Sequence, residues 1–238
     1  MKRQILDIEF WTNKRQIVRN SYEFDENWNE VIERFKSRVE DFYIKPINWI
    51  KDPEKLKGEG FSILTIQCAL IEMFAAFKLG KIHKYNKKNT DPNYTYKNAD
   101  DCLIPFLQSE SLFENHFFVY KDGVKIVDQP FSASEFYNKV RCGLMHEART
   151  KGEWVINAKR NYIGDETIFI SMNTTHNKIS IDRTILKMQL QKYFDEYIQN
   201  LKQGSIIGNQ LRRLFARKLD HLYDFPANTI EFDWWNDN

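Results

Sequence analysis

Glycine and proline are scarce in this chain, 9 and 6 residues among 238. So few turn-formers argue against a turn-dense all-β protein and for long helices. Cysteine is scarcer still, with three residues at positions 68, 102 and 142. An odd number at wide spacing excludes a disulfide framework and reads as reduced thiols of a cytoplasmic protein, and the CxxC pairs of a structural zinc site are absent. No run reaches the roughly 18 consecutive apolar residues of a membrane span. Asp7 and Glu9 interrupt the apolar N-terminal segment where a signal peptide needs an unbroken one. Charge of one sign is also lacking: 35 Lys and Arg stand against 33 Asp and Glu. A chain this neutral, with 42% hydrophobic residues, can bury a core and is not wholesale disordered. There is no repeat of fixed period and no low-complexity tract.

Aromatic residues are plentiful, at 15%. Residues 1–25 alternate loosely and read as an N-terminal arm, with Ile5–Trp11 a short strand or apolar segment. Asp25 can cap a helix carrying Trp28, Val31, Ile32, Phe35, Val39 and Phe42 at helical spacing, and Pro46 kinks or ends it. A loop is expected over 51–60. The most hydrophobic stretch, 61–79, is too short and too interrupted for a span and reads as a helix buried nearly all round, with one charge, Glu72, at its middle. Gly80 stops it. A polar loop over 81–97 is followed by a helix near 100–113. A hairpin turns at Asp122-Gly123. Ser132 or Ser134 opens a helix running to about Arg149, with Gly152 just beyond its end. Trp154–Ile156 is a strand, and 167–172 with 178–181 form a second hairpin. Asp182 caps a long helix with Leu186, Leu190, Tyr193, Tyr197 and Leu201 on one stripe, and a last helix spans about 206–222. The expected architecture is mainly α, a helical bundle with one or two small β-hairpins. A single domain covers 26–225, and an acidic, aromatic tail covers 226–238.

The segment Val140-Arg-Cys-Gly-Leu-Met-His-Glu-Ala-Arg-Thr150 carries the functional reading. Phe136, Val140 and Leu144 form the buried stripe of its helix. Arg141 and His146 lie five apart, about 140° around an ideal helix and about 7.5 Å along it. They do not touch as a pair, but both can border one groove when a symmetric copy supplies the other wall. This arrangement resembles the R-x4-6-H signature of the HEPN superfamily of helical nucleotide-binding domains over roughly residues 130–156. Cys142 departs from the family pattern, which commonly has a polar residue such as Asn directly after the Arg. The resemblance implies an up-and-down helical bundle and a homodimer. It also implies a metal-independent endoribonuclease without cofactor, working in a toxin–antitoxin pair or in antiviral defence, with an antitoxin or defence-system partner.

The chemistry suits those residue types. RNA carries its own nucleophile in the 2′-OH. A histidine can take that proton or protonate the leaving 5′-oxygen. An arginine can fork onto two phosphate oxygens as charge develops. The products would be a 2′,3′-cyclic phosphate and a 5′-OH. Glu72, a carboxylate inside an apolar helix, needs a partner. Two roles are open to it: orienting Arg141 or His146, or pairing with another basic residue for stability. Lys81, His83, Lys84, Lys87 and Lys88, interleaved with tyrosines, are candidate RNA contacts, as are Arg212 and Arg213. Blander readings stand beside each of these. Arg141 can pair with Glu135 or Glu147, and His146 can serve the helix dipole. Cys142 and His146 share a face but lack the further ligands of a metal site. The lysine loop and the arginine cluster can be wet surface, and the whole can be a non-catalytic RNA- or nucleotide-binding or interaction module.

Overall fold

A computed structural model describes residues 2–50, 58–127, 132–158, 166–173 and 175–236. The chain is mainly helical. In order, its helices are α1 (Lys2–Val18), α2 (Glu26–Val39), α3 (Lys45–Ile50), α4 (Glu59–Leu79), α5 (Asp100–Ser109), α6 (Glu114–Phe117), α7 (Ala133–Glu135), α8 (Cys142–Glu147), α9 (Arg183–Leu201) and α10 (Ile206–Leu222). The strands are β1 (Ile82–His83), β2 (Thr95–Tyr96), β3 (Phe118–Lys121), β4 (Val124–Val127), β5 (Trp154–Asn157), β6 (Ile170–Asn173) and β7 (Lys178–Asp182). The chain divides into two interleaved compact units, one made of 1–40, 74–98 and 194–238, the other of 41–73 and 99–193.

In the first unit, the expected N-terminal arm is a helix instead. α1 places Trp11 in the core. It also buries Asp7, which accepts hydrogen bonds from Arg34 Nε at 2.6 Å and Arg38 Nη1 at 3.1 Å. Asp25 caps α2, its carboxylate accepting from the Trp28 N–H, and Trp28, Val31, Ile32, Phe35 and Val39 are buried. Phe35 meets Phe77, Phe194 and Phe215 at centroid distances of 4.5, 6.2 and 5.1 Å, so α2, the end of α4, the end of α9 and α10 share one aromatic core. Gly80 stops α4 with φ of 57°, and a Cβ there would lie 2.8 Å from the Leu214 side chain. Both the left-handed turn and the close packing on α10 therefore require glycine. The tail returns to this core, and Phe232, Trp234 and Trp235 are buried. One buried carboxylate, Asp220, gathers four donors: Trp11 Nε1 at 2.8 Å, Arg15 Nη2 at 2.7 Å, and Trp234 and Trp235 Nε1 at 2.9 Å each.

In the second unit, a π turn (Glu40–Ile44) leads into α3. Pro46 follows the π turn inside a continuous helical run, so it does not end the helix as expected. The expected loop 51–60 lies outside the described residues up to 57, and 59–60 already belong to α4. α4 is long and apolar enough to cross a membrane by length and composition. It nevertheless carries Gln67, fully buried, with Nε2 donating to the Arg183 carbonyl at 2.7 Å. The Oε1 of Gln67 is buried without a hydrogen-bond partner among the described residues. The first hairpin pairs β3 with β4 around Asp122 and Gly123, both at positive φ, the geometry that Asp-Gly favours. The second pairs β6 with β7. β5 then adds to β7 in parallel, giving a three-stranded sheet ordered β5-β7-β6. Asp182 caps α9, its Oδ1 accepting from the Thr184 and Ile185 N–H groups.

Candidate functional site

Ser132 opens the segment that bears Arg141, its hydroxyl accepting from Glu135 N–H at 2.9 Å. Instead of one regular helix to Arg149, the chain makes one turn of α-helix (α7), a π turn over Phe136–Arg141, and then α8. Such insertions of π geometry concentrate at functional sites. Phe136, Val140 and Leu144 are buried, as the apolar stripe requires. Ala148, not Gly152, takes the left-handed position at the helix end, with φ of 54°. The chain then folds back. Arg149 N–H donates to the Gly143 carbonyl at 3.3 Å, and Lys151 N–H to the Lys139 carbonyl at 2.8 Å. A Cβ on Gly143 would collide with the returning Arg149 carbonyl, so glycine is needed there for close approach rather than for a turn.

α4 and this segment meet through Glu72 and Arg141. Arg141 Nε and Nη2 fork onto Oε1 and Oε2 of Glu72, the second bond 3.1 Å long. The two side chains are 15% and 29% exposed, so the pair borders solvent without being open to it. The hydrogen bonds to Glu72 raise the Arg141 pKa still further, against the opposing effect of burial. Five N–H groups belong to a guanidinium, so donors remain beyond those that the carboxylate takes. Glu135 and Glu147 are engaged elsewhere, Glu135 with Lys139 at 2.8 Å and Glu147 with Lys151 at 2.6 Å. The Glu147 carboxyl is lowered chiefly by the Lys151 hydrogen bond.

His146 is exposed in the last turn of α8, five residues beyond Arg141. Cys142 is half-buried, and the thiol of Cys68, one turn before Glu72 on α4, is fully buried and pushed up to about 12, by burial first and then by the Glu72 charge. Among the described residues no group of three His, Cys, Asp or Glu is gathered as for a metal ion.

The proposed RNA-contact residues belong to the other unit. Lys81 Nζ donates to the Asn93 carbonyl at 2.5 Å, Lys87 Nζ to that of Thr95 at 2.6 Å, and Lys84 pairs with Asp91 at 2.6 Å. His83 Nε2 lies 2.8 Å from the Lys97 carbonyl. The Lys88 N–H donates to Asp91 at 2.7 Å. These residues therefore brace their own loop. Arg212 is wholly buried. It donates to the carbonyls of Tyr22 at 2.6 Å, Leu201 and Gln203 at 3.0 Å, and to Asn209 at 2.6 Å. A buried guanidinium saturated by carbonyls cannot take a phosphate. Arg213 donates to the carbonyls of Asp233 at 2.8 Å and Asn236 at 3.1 Å and holds the tail.

One residue that sequence reading missed belongs to the site. Tyr137 stands one turn before Arg141, whose Cζ lies 5.6 Å from its ring centroid. The Tyr137 hydroxyl pKa is pushed up to about 12, by burial first and then by the neighbouring Cys142. Tyrosine four residues before an arginine was the available signal. Compared with known proteins, the chain matches no family model, no curated protein and no solved structure.

Proposed function

We propose that the chain is a metal-independent endoribonuclease of the HEPN type, working as a homodimer in a toxin–antitoxin or defence setting. The observation that supports it most is the forked Glu72–Arg141 pair beside an exposed His146. A carboxylate inside an apolar helix fixes the arginine's orientation while leaving N–H donors over, and the imidazole stands five residues on with its ring in solvent. Arg141 would stabilise the phosphorane, His146 would move protons, and Glu72 would position Arg141. A symmetric copy would close the gap that five residues leave between Arg141 and His146.

The same pair also supports a second reading. An intramolecular, mostly covered ion pair equally suits a brace in a non-catalytic module that binds RNA, nucleotide or protein.

The test is incubation of pure protein with total RNA in EDTA, with Arg141→Ala and His146→Ala beside it. Cleavage to 5′-OH ends is expected, slowed about a hundredfold or more in each variant, while DNA survives and light scattering gives twice the chain mass. Arg141→Lys should also be impaired, because a point charge cannot reproduce a fork. Variants that unfold make the pair a brace. Folded variants that cut RNA at the wild-type rate, or activity that needs added metal, overturn the catalytic reading.

A further inference from the structure

We infer that Tyr137 is a positioning residue for Arg141, the second of two supports that hold the guanidinium in one orientation. This rests on the proposed nuclease reading.

On a regular α-helix Cys142, five residues after Tyr137, would point about 140° away from it. The wider turn over Phe136–Arg141 changes that. The Cys142 N–H bonds to the Tyr137 carbonyl, an i to i+5 contact. Arg141, four residues on, lies over the Tyr137 ring, its Cζ 5.6 Å from the centroid. Tyr137 therefore meets Arg141 through its ring.

Glu72 fixes the guanidinium in its own plane, since a forked contact sets direction and rotation about the Cζ axis. It does little against tilting of that plane. An aromatic face beneath the cation resists tilting. The two supports come from different elements, α4 and the π turn, so their effects are separable.

The experiment compares Tyr137→Leu and Tyr137→Phe with wild type in RNA cleavage and, without RNA, by NMR of the arginine side chains. Tyr137→Leu should lower kcat about tenfold with KM nearly unchanged, the scale of a partly desolvated cation–π contact. Tyr137→Phe, which keeps the ring, should restore the rate to within about threefold. The Arg141 side-chain protons should show an upfield ring-current shift that persists in Tyr137→Phe and disappears in Tyr137→Leu. A folded Tyr137→Leu that cuts at the wild-type rate overturns the inference, and so does a Tyr137→Phe as slow as the leucine variant. If the leucine variant does not fold, unshifted Arg141 resonances in the wild type overturn it, and a shifted set retained in Tyr137→Phe supports it. If wild type leaves RNA intact, the nuclease reading falls. The ring-current shift then still decides whether Tyr137 holds Arg141.

Discussion

Single residues carry most of the chemistry in this molecule, and His116 shows how far burial alone can push one. Its ring is 2% exposed and stacks on Phe169 with centroids 3.8 Å apart. Nε2 accepts the Phe169 N–H at 3.2 Å, so the neutral ring carries its proton on Nδ1, which has no partner among the described residues. Burial depresses its pKa from 6.5 to about 4. Unfolding releases the ring to its ordinary value, so between pH 6.5 and 4 the unfolded chain binds the extra proton. Stability is full above pH 6.5 and falls as pH drops through that window, by about 3 kcal/mol from this residue. His221, depressed to about 4 chiefly by burial, adds in the same direction. Urea midpoints from pH 7 to 4 should fall less steeply for His116→Gln than for wild type, and parallel curves would remove His116 as the cause. Burial was the property least legible in the sequence. Glu72 stood out because it is one charge in an apolar helix, and its partner proved to be Arg141. Arg212, read as an RNA contact, and Asp7 did not announce their burial, because a charge among other charges reads as wet surface until a distant carbonyl or guanidinium is placed on it.

At the scale of elements, what local chemistry controls was readable. Asp25, Ser132 and Asp182 cap the helices expected of them, Gly80 ends α4, and Asp122-Gly123 turns a hairpin. Spacing of apolar residues located α2, α4, α9 and α10. α1 was not readable, because Ile5-Leu6-Asp7-Ile8-Glu9-Phe10 alternates like a strand, and Asp7 faces inward only because Arg34 and Arg38 await it. The parallel pairing of β5 with β7 joins residues 25 apart in sequence (Trp154 with Ile179) and has no local signal. Nor do the π turns, which arise from register rather than composition. Ala148 ends the helix four residues before Gly152, and the chain returning through Arg149 packs its carbonyl closely against Gly143. Gly143→Ala should therefore destabilise the fold by about 1–3 kcal/mol through overpacking against the Arg149 carbonyl. Thermal melts would show it. Gly123→Ala is strained by its positive φ but has nothing within 4 Å of the added methyl, so it separates steric from conformational cost.

At the scale of the whole molecule, both units are assembled from segments far apart in sequence. Asp220 is the clearest case. One carboxylate binds Trp11 and Arg15 of α1 and Trp234 and Trp235 of the tail, while Arg15 is also sandwiched between Phe225 and Phe232 at 4.1 and 3.9 Å. Asp220→Asn keeps the shape but removes the charge and turns an amide N–H toward indole N–H groups. It should cost about 3 kcal/mol or more, as expected when one member of a buried charged network is lost. It should also expose Trp234 and Trp235 to quenchers such as acrylamide. Unchanged stability would mean that aromatic packing, not the carboxylate, holds this end.

The order in which these partners leave the ribosome follows directly. α1 emerges with Trp11 and Arg15 more than two hundred residues ahead of the carboxylate they bind, and the two indoles that complete the set come after it. Until residue 220 is made, Trp11 and Arg15 lack their carboxylate, although Asp7 already has Arg34 and Arg38 of α2. A message stopped a handful of codons before 234 leaves Asp220 half-clothed. Such a chain would be a substrate for quality control, so a stop codon there should behave almost like one placed far upstream.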